Sequence, residues 1–319
     1  MLPRLLACPD KLRGTLTSPE AAAAIAAGAA RAGWGAVELP LADGGEGTLE
    51  ALGGGNRTTR VTGPLGEPVD AEWRLAGGVA VVEAARTCGL ALAGGRGGND
   101  PLRATSRGVG ELVAAALEAG AERIVVAVGG VASTDGGSGA VEALRPFLPL
   151  PVPLEVACDV QARFLEAADV FAPQKGATPE QVTLLRQRLA QLDVPDAPGA
   201  GAAGGLAGGL AALGARLRPG FELVAESLRL DEHLAGAELA VTAEGLLDAT
   251  SFTGKVVGGV LARAARAGVP ALVVAGEIAA PVPPPARALS LVERCGRERA
   301  FAEAAACLEE AVAETLARI

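Results

Sequence analysis

The sequence predicts an α/β protein: a flavodoxin-like parallel-sheet domain that carries an inserted mixed-sheet α/β domain, with the active site in the interdomain cleft. Three observations predict it. Short apolar runs alternate with alanine-rich helical stretches at both ends of the chain, the pattern of strand–helix–strand units in a parallel sheet. Between them, runs that alternate or are rich in β-branched residues are separated by Gly/Pro turns, as in antiparallel strands. Finally, six apolar runs end in an acid or in a glycine loop that holds one: LLACPD at Asp10, ELPLAD at Asp43, IVVAVGG before Asp135, EVACD at Asp159, LAVTAEG at Glu244 with Asp248 beyond, and ALVVAGE at Glu277. Open parallel sheets bind ligands outside the carboxyl ends of their strands. A buried strand needs no acid at its end, and crowded carboxylates are costly. Their recurrence points to a bound cation, to phosphates carried with it, or to both. Helix capping is the plainer account of any one of them.

The elements follow in order. LLACP reads as a strand, and Ser18-Pro19-Glu20 as a helix start with a capping hydroxyl and proline in the first helical position. The helix runs to Gly33, and VELPLA is the second strand. From Asn56 the texture changes: TTRVTGP, VDAEWRLAG and VAVVEAA read as antiparallel. They precede the helix GVGELVAAALEAG, the strand RIVVAV, a glycine loop and the strand LEVACDV. A helix opens at Thr178-Pro179, then Gly, Ala and Pro dominate residues 193–209. Strand and helix alternate again through ELAVTAEG, a helix from Val256, ALVVAGE, RALSLV and a closing helix. The expected domains are therefore 1–55 with 226–319, holding strands 4–8, 37–42, 238–243, 271–275 and 287–292, and an insertion at 56–225.

Composition narrows the function. Half the residues are hydrophobic but only 3% aromatic, with 44 glycines and no tyrosine, so the core is built from Ala, Val and Leu. The formal net charge of −9 disfavours nucleic acid and anionic membranes as partners. No run approaches 18 uninterrupted apolar residues, and the apolar part of LLAC is too short for a signal segment, so the expected compartment is cytoplasmic. The five cysteines are far apart and lack a CxxC, which argues against a disulfide framework or a zinc site. The single histidine, His233, sits in the polar segment LDEHLAGAE and is expected in solvent, so acid–base work falls to Asp or Glu.

Three glycine loops could cradle phosphate. ADGGEGT (42–48) joins a strand to a helix, but Asp43 and Glu46 would repel a bare phosphate unless Mg²⁺ or a substrate hydroxyl is present. GGVASTDGGSG (129–139) has the same context and holds Ser133, Thr134 and Asp135. GAGAAGG (199–205) matches the dinucleotide fingerprint by letter, yet follows DVPDAP rather than a strand. A Walker A motif is absent; the nearest approach, ATSFTGKV (249–256), retains Lys255 after a glycine at a helix start. Arg supplies nearly all the positive charge, and the lysines, Lys11, Lys175 and Lys255, all sit beside loops.

The segments CPDKLRG (8–14), PLADGGEGT (40–48), NDPLRATSRGVGEL (99–112), GGVASTDGGSG (129–139), ACDV with FAPQKGA (157–177), GAGAAGG (199–205) and TAEGLLD with TGK (242–255) together resemble the motifs of the bacterial class I glycerate kinases, in collinear order over nearly the whole chain. The chain departs from that pattern with Val131 for a usual Ser, Ala243 for a usual Gly and Leu246 for a frequent Arg, and is shorter between the DGG loop and ACDV and before GAGAAGG. The resemblance implies ATP-dependent phosphorylation of D-glycerate, with 2-phosphoglycerate favoured over 3-phosphoglycerate, and ATP and Mg²⁺ as cofactors. A non-catalytic nucleotide- or metabolite-binding regulator and a Mg-dependent phosphatase are the alternatives. The partner is then a small molecule, and a homo-oligomer is left open.

Phosphoryl transfer needs positive groups and amides around phosphates, Mg²⁺ on carboxylates, and an acceptor for the hydroxyl proton. The expected catalytic residues are Asp43, Asp135 and Lys175, with Asp43 or Asp135 orienting the hydroxyl. Lys175 is expected to project from its loop into the cleft. Substrate-binding candidates are Asp10, Lys11, Arg13, Arg103, Glu244 and Asp248, the basic ones for the glycerate carboxylate. Nucleotide-binding candidates are Gly44, Gly45, Gly47, Ser133, Thr134, Gly136, Gly137, Gly204, Gly205 and Lys255, and metal-binding candidates are Asp43, Glu46 and Asp159.

Overall fold

The computed structural model describes residues 2–319. Its strands are β1 Arg4–Ala7, β2 Gly35–Glu38, β3 Arg57–Thr62, β4 Pro68–Ala76, β5 Val79–Glu83, β6 Arg123–Ala127, β7 Leu154–Ala157, β8 Arg216–Arg218, β9 Leu239–Leu247, β10 Ala271–Ile278 and β11 Arg287–Ser290. They form a five-stranded sheet ordered β11-β10-β9-β1-β2 and a six-stranded sheet ordered β3-β4-β5-β6-β7-β8. The chain divides into two compact units. One holds the residues up to Asp43, Glu50–Gly53 and Phe221–Ile319; the other holds Gly44–Leu49 and Gly54–Gly220. The second unit thus takes in the short loop 44–49 and ends at Gly220, so residues 221–225, expected in the insertion, belong to the first unit.

The first unit is all parallel. Counting its own strands in chain order gives 2-1-3-4-5, the flavodoxin-like order, with the reversal at β1 and β9. One face buries Leu5, Ile25, Val241, Val274, Leu308 and Val312, the other Leu6, Leu41, Phe221, Val224, Ala240 and Val260. The alanine-rich helix Ser18–Arg31 lies close on the helix Ala304–Leu316: a Cβ at Gly28 would fall 2.5 Å from the Glu309 carbonyl. Its cap is Thr17, one residue before the serine that the sequence suggested. Thr17 and Glu20 form a reciprocal capping box, which leaves Ser18 inside the helix.

The second unit is mixed, with β3-β4-β5 antiparallel and β5-β6-β7-β8 parallel. Trp73, Val82, Leu112, Ile124, Val126 and Leu206 lie in its main core, and Val131 belongs to the same core rather than lining a loop surface. A second cluster around Phe164, Leu185 and Leu189 carries the helix Pro179–Leu189, capped as expected by Thr178 and Gln181. His233 is half-buried in the last turn of the helix Leu230–Ala235, not at its start. Among the described residues no helix is long and apolar enough to cross a membrane.

Candidate active site

In the first unit, Asp10 follows the carboxyl end of β1, and Glu244 lies on the neighbouring strand β9, which continues to Leu247. The Asp10 amide donates to the Ala243 carbonyl at 2.9 Å, so pairing continues past β1 and sets Asp10 beside Glu244. This is the point where the strand order reverses, the usual ligand site of such a sheet. Burial pushes the Asp10 carboxyl up to about 7, and the Asp43 charge adds to the rise; the Lys11 amide, at 2.7 Å, and the ammonium groups of Lys11 and Lys255 oppose it. Burial likewise pushes Glu244 up to about 7, against the Ser251 hydroxyl and Lys255, with Asp10 and Asp248 raising it further. Glu244 Oε1 is buried and has no hydrogen-bond partner. A desolvated acid pair with an unsatisfied oxygen is the state that a cation would relieve.

The other candidates of this unit fall around that pair. Lys255 precedes the twelve-residue helix Val256–Ala267. Asp248 accepts from the Thr250 amide at 2.7 Å and its hydroxyl at 2.6 Å; these bonds hold its carboxyl below the ordinary range and make it a cap for the turn 249–252. Lys11 is half-buried and Arg13 exposed.

In the second unit the loops expected to cradle phosphate are largely occupied by the protein itself. Glu83, at the end of β5 and 1% exposed, accepts from the Gly47 amide at 3.2 Å and the Leu49 amide at 3.1 Å. A carboxylate of the chain thus sits where the sequence suggested an anion would bind the ADGGEGT turn. Gly44 has φ +86°, and a Cβ there would meet Gly220 Cα at 2.6 Å and Ala157 Cβ at 2.7 Å. Gly45 lies against Gly129, where a Cβ would come within 2.8 Å of the Gly45 Cα.

Asp135 is bound on both oxygens. Oδ2 accepts from the Ser106 amide and hydroxyl, each at 2.8 Å, and from the Gly139 amide at 3.3 Å; Oδ1 accepts from the Gly137 amide at 3.1 Å. The Gly136 amide donates to the Gly204 carbonyl at 3.0 Å. The amides of Gly136 and Gly137, expected at the nucleotide, are therefore engaged by Gly204 and Asp135. Gly204 and Gly205 serve close packing: a Cβ on Gly204 would lie 2.3 Å from the Ser133 carbonyl, and one on Gly205 would lie 2.8 Å from Gly136 Cα.

Lys175 turns inward rather than out of its loop. Only 3% exposed, it donates from Nζ to the Ser133 carbonyl at 2.5 Å and to Thr134 Oγ1 at 3.4 Å. Burial lowers its ammonium to about 8, against the favourable charges of Cys88 and Asp135. Asn99 ties the cluster together, donating from Nδ2 to the Lys175 carbonyl at 2.9 Å and the Ala132 carbonyl at 3.2 Å. Ser133 Oγ and Asn99 Oδ1 are buried without partners.

Asp159 Oδ1 accepts from the Gly220 amide at 2.8 Å, Glu46 is exposed, and Arg103 is exposed. Among the described residues no three His, Cys, Asp or Glu side chains form a group able to hold a metal ion, so the expected trio of Asp43, Glu46 and Asp159 is not such a group. Glu83, Ser106, Asn99 and Ser251 were missed from the sequence. Glu83 carried a usable signal, since it too ends an apolar run, VAVVE.

The glycerate kinase family model matches residues 5–147 and 149–319. The chain belongs to the glycerate kinase family. It is similar to an uncharacterised protein of Mycobacterium bovis, with 44% identity over 302 residues covering 86% of this chain and 79% of the relative. It is 37% identical over 327 residues to glycerate 2-kinase of Escherichia coli, with 86% and 85% of the two chains covered. The crystal structure of a protein assigned as glycerate kinase 2 in Salmonella typhimurium superposes with a TM-score of 0.85 at 34% identity, covering 100% of this chain and 98% of that one. This family member is accordingly a kinase with the family's α/β architecture.

Proposed function

We propose that the chain phosphorylates D-glycerate from ATP with Mg²⁺, and that the product is 2-phosphoglycerate. The observation that carries the reading is the desolvated acid pair Asp10–Glu244, with Glu244 Oε1 unpartnered, at the strand-order reversal, flanked by Lys11 and Lys255, in a member of the glycerate kinase family. Mg²⁺ in such enzymes is bound by one or two carboxylates together with phosphate oxygens, so two converging acids suffice. Asp10 and Glu244 are the residues that would hold it, and the ion would neutralise charge on the transferring phosphoryl group.

The remaining residues then divide the work. Asp43, whose charge bears on Asp10, is the acceptor assigned to the proton of the attacking hydroxyl, and the Asp135 carboxylate, which binds four donors, acts as a fixed anchor for its loop. Lys175 fixes a positive charge beneath residues 133–134, where it orients the loop and offsets phosphate charge at low dielectric. As the glycerate oxygen bonds to phosphorus and the bridge to ADP breaks, the hydroxyl proton passes to Asp43.

The test is ADP release from ATP and Mg²⁺ with and without D-glycerate, followed by ³¹P NMR of the product. Release that depends on glycerate, with the phosphate on carbon 2, supports the reading. Glycerate-independent release or phosphate on carbon 3 corrects it, and phosphate release from phosphoglycerate alone would favour a phosphatase.

A further inference from the structure

A second feature of the first unit has no role in that reaction as described. Immediately beyond the acid pair lies a cavity of about 260 Å³, walled by Leu12, Leu246, Val292, Ala300 and Phe301, with Arg13, Glu277 and Arg297 on its polar edge. We propose that this cavity seats the purine base of the nucleotide, a proposal that rests on the kinase using a nucleoside triphosphate.

Position is the first argument. Gly245 and Leu246 follow Glu244 directly, and Leu12 and Arg13 follow Asp10 and Lys11, so wall and acid pair are built from the same two strand ends. Gly276 and Glu277 add the carboxyl end of the neighbouring strand β10. A base seated there is within one short stretch of backbone from the groups proposed for the phosphates and Mg²⁺. Another cavity of this unit, about 320 Å³, runs along the helix Val256–Ala267 beneath Pro283, Pro284 and Pro285. It reaches Val269 and Ala271, at the amino end of β10, the end of a parallel sheet that does not bind ligands.

Chemistry is the second argument. Leu246 and Phe301 are about half exposed, at 50% and 51%, which is costly for two large apolar side chains facing one cavity unless something planar and apolar covers them. The volume, about 260 Å³, lies just below the roughly 300 Å³ at which drug-sized ligand cavities begin, and so suits one fused ring rather than a whole nucleotide. The oxygen-rich glycerate anion would leave that wall bare. The edge is polar in the required sense: Glu277 and Arg297 form an ion pair, and the Arg297 guanidinium lies 5.1 Å from the Phe301 ring centroid. Such an edge offers an acceptor to the N–H groups of a base, while the stacked cation and aromatic ring present flat faces. Apolar walls with a few placed polar groups are the usual make-up of a nucleotide-base pocket.

The test measures binding without turnover. ADP affinity is determined by titration calorimetry on the full chain and on the variants Leu246→Asp and Phe301→Ala. Both replace half-exposed side chains, so the thermal midpoint should hold to within a few degrees. The expected result is a tenfold or greater rise in the ADP dissociation constant in both variants, with the Michaelis constant for glycerate changed less than twofold. Wild-type protein that binds ADP, together with variants that bind it equally well, overturns the base pocket and leaves the kinase reading intact. A glycerate effect without an ADP effect gives the cavity to glycerate and also overturns the proposal. Wild-type protein that neither binds ADP nor releases it in the presence of glycerate removes the nucleotide reading and this proposal together.

Discussion

The acids at Asp10–Glu244 and the acid at Asp135 arise from the same sequence pattern, a carboxylate at or just past the end of an apolar strand, yet they end in opposite electrostatic states. Asp135 is surrounded by four donors and a buried lysine, and its loop is closed around it. Asp10 and Glu244 are desolvated, close in charge to further acids, and leave one oxygen without a partner. A satisfied carboxylate stabilises a fold, whereas an unsatisfied one costs stability and so marks where a ligand is needed. The first unit therefore holds the poised acids and the second the rigid loops.

The largest test of this contrast is Asp43→Asn. Turnover should fall by about 10²–10⁴-fold, while the thermal midpoint stays level or rises, because the change removes a charge that strains Asp10. Full activity would take Asp43 out of the chemistry. Lys175→Met should follow, with turnover reduced on the order of 10²-fold. A loss confined to the Michaelis constant would restrict Lys175 to substrate binding.

Asp135→Asn should move stability where the first-unit substitutions do not. Replacing one accepting oxygen by an amide that faces donors should cost about 2–3 kcal/mol, read as a lower urea midpoint at unchanged slope. An unchanged midpoint would end the view of Asp135 as an anchor.

The smallest effect lies in pH. Asp10 and Glu244 titrate near 7 when folded and near about 4 when unfolded, so between these values the folded state holds more protons. Stability should therefore fall as pH rises from about 4 to about 7, by on the order of 1–3 kcal/mol for the coupled pair, and Mg²⁺ with nucleotide should flatten the slope. Asp10→Asn and Glu244→Gln should each reduce it. Lys175 acts in the opposite direction at higher pH: burial lowers its folded value to about 8, below its ordinary value of about 10.5, so its contribution rises from pH 8 to 10.5. A flat profile in the wild type between pH 4 and 7 would contradict the desolvation of the acid pair.

Much of this architecture was legible in the sequence. Four of the five outer strands, the antiparallel texture after Asn56 and the Thr178 cap are local signals: apolar periodicity, turn residues and hydroxyl spacing each act over a few residues, whereas the strand expected at 37–42 lies earlier, at Gly35–Glu38. The collinear motifs carried the family. The acids were read from the sequence as a class of strand ends, but the same pattern also included Glu83, which was passed over as part of a strand.

By itself, the sequence determined the layered α/β plan and the set of acids, lysines and glycine loops available for chemistry, because pattern and residue type suffice for those. Tertiary structure alone decided how each was used. It turned Lys175 inward onto the Ser133 carbonyl, placed Glu83 against the amides of the first glycine loop, and engaged the amides of Gly136 and Gly137 with Gly204 and Asp135. It also left Glu244 Oε1 unpartnered beside Asp10. The physical reason is that hydrogen-bond satisfaction and desolvation depend on neighbours brought from distant parts of the chain. Asp135 meets Ser106 across 29 residues, and Asp10 meets the Ala243 strand end only through the parallel pairing of β1 with β9.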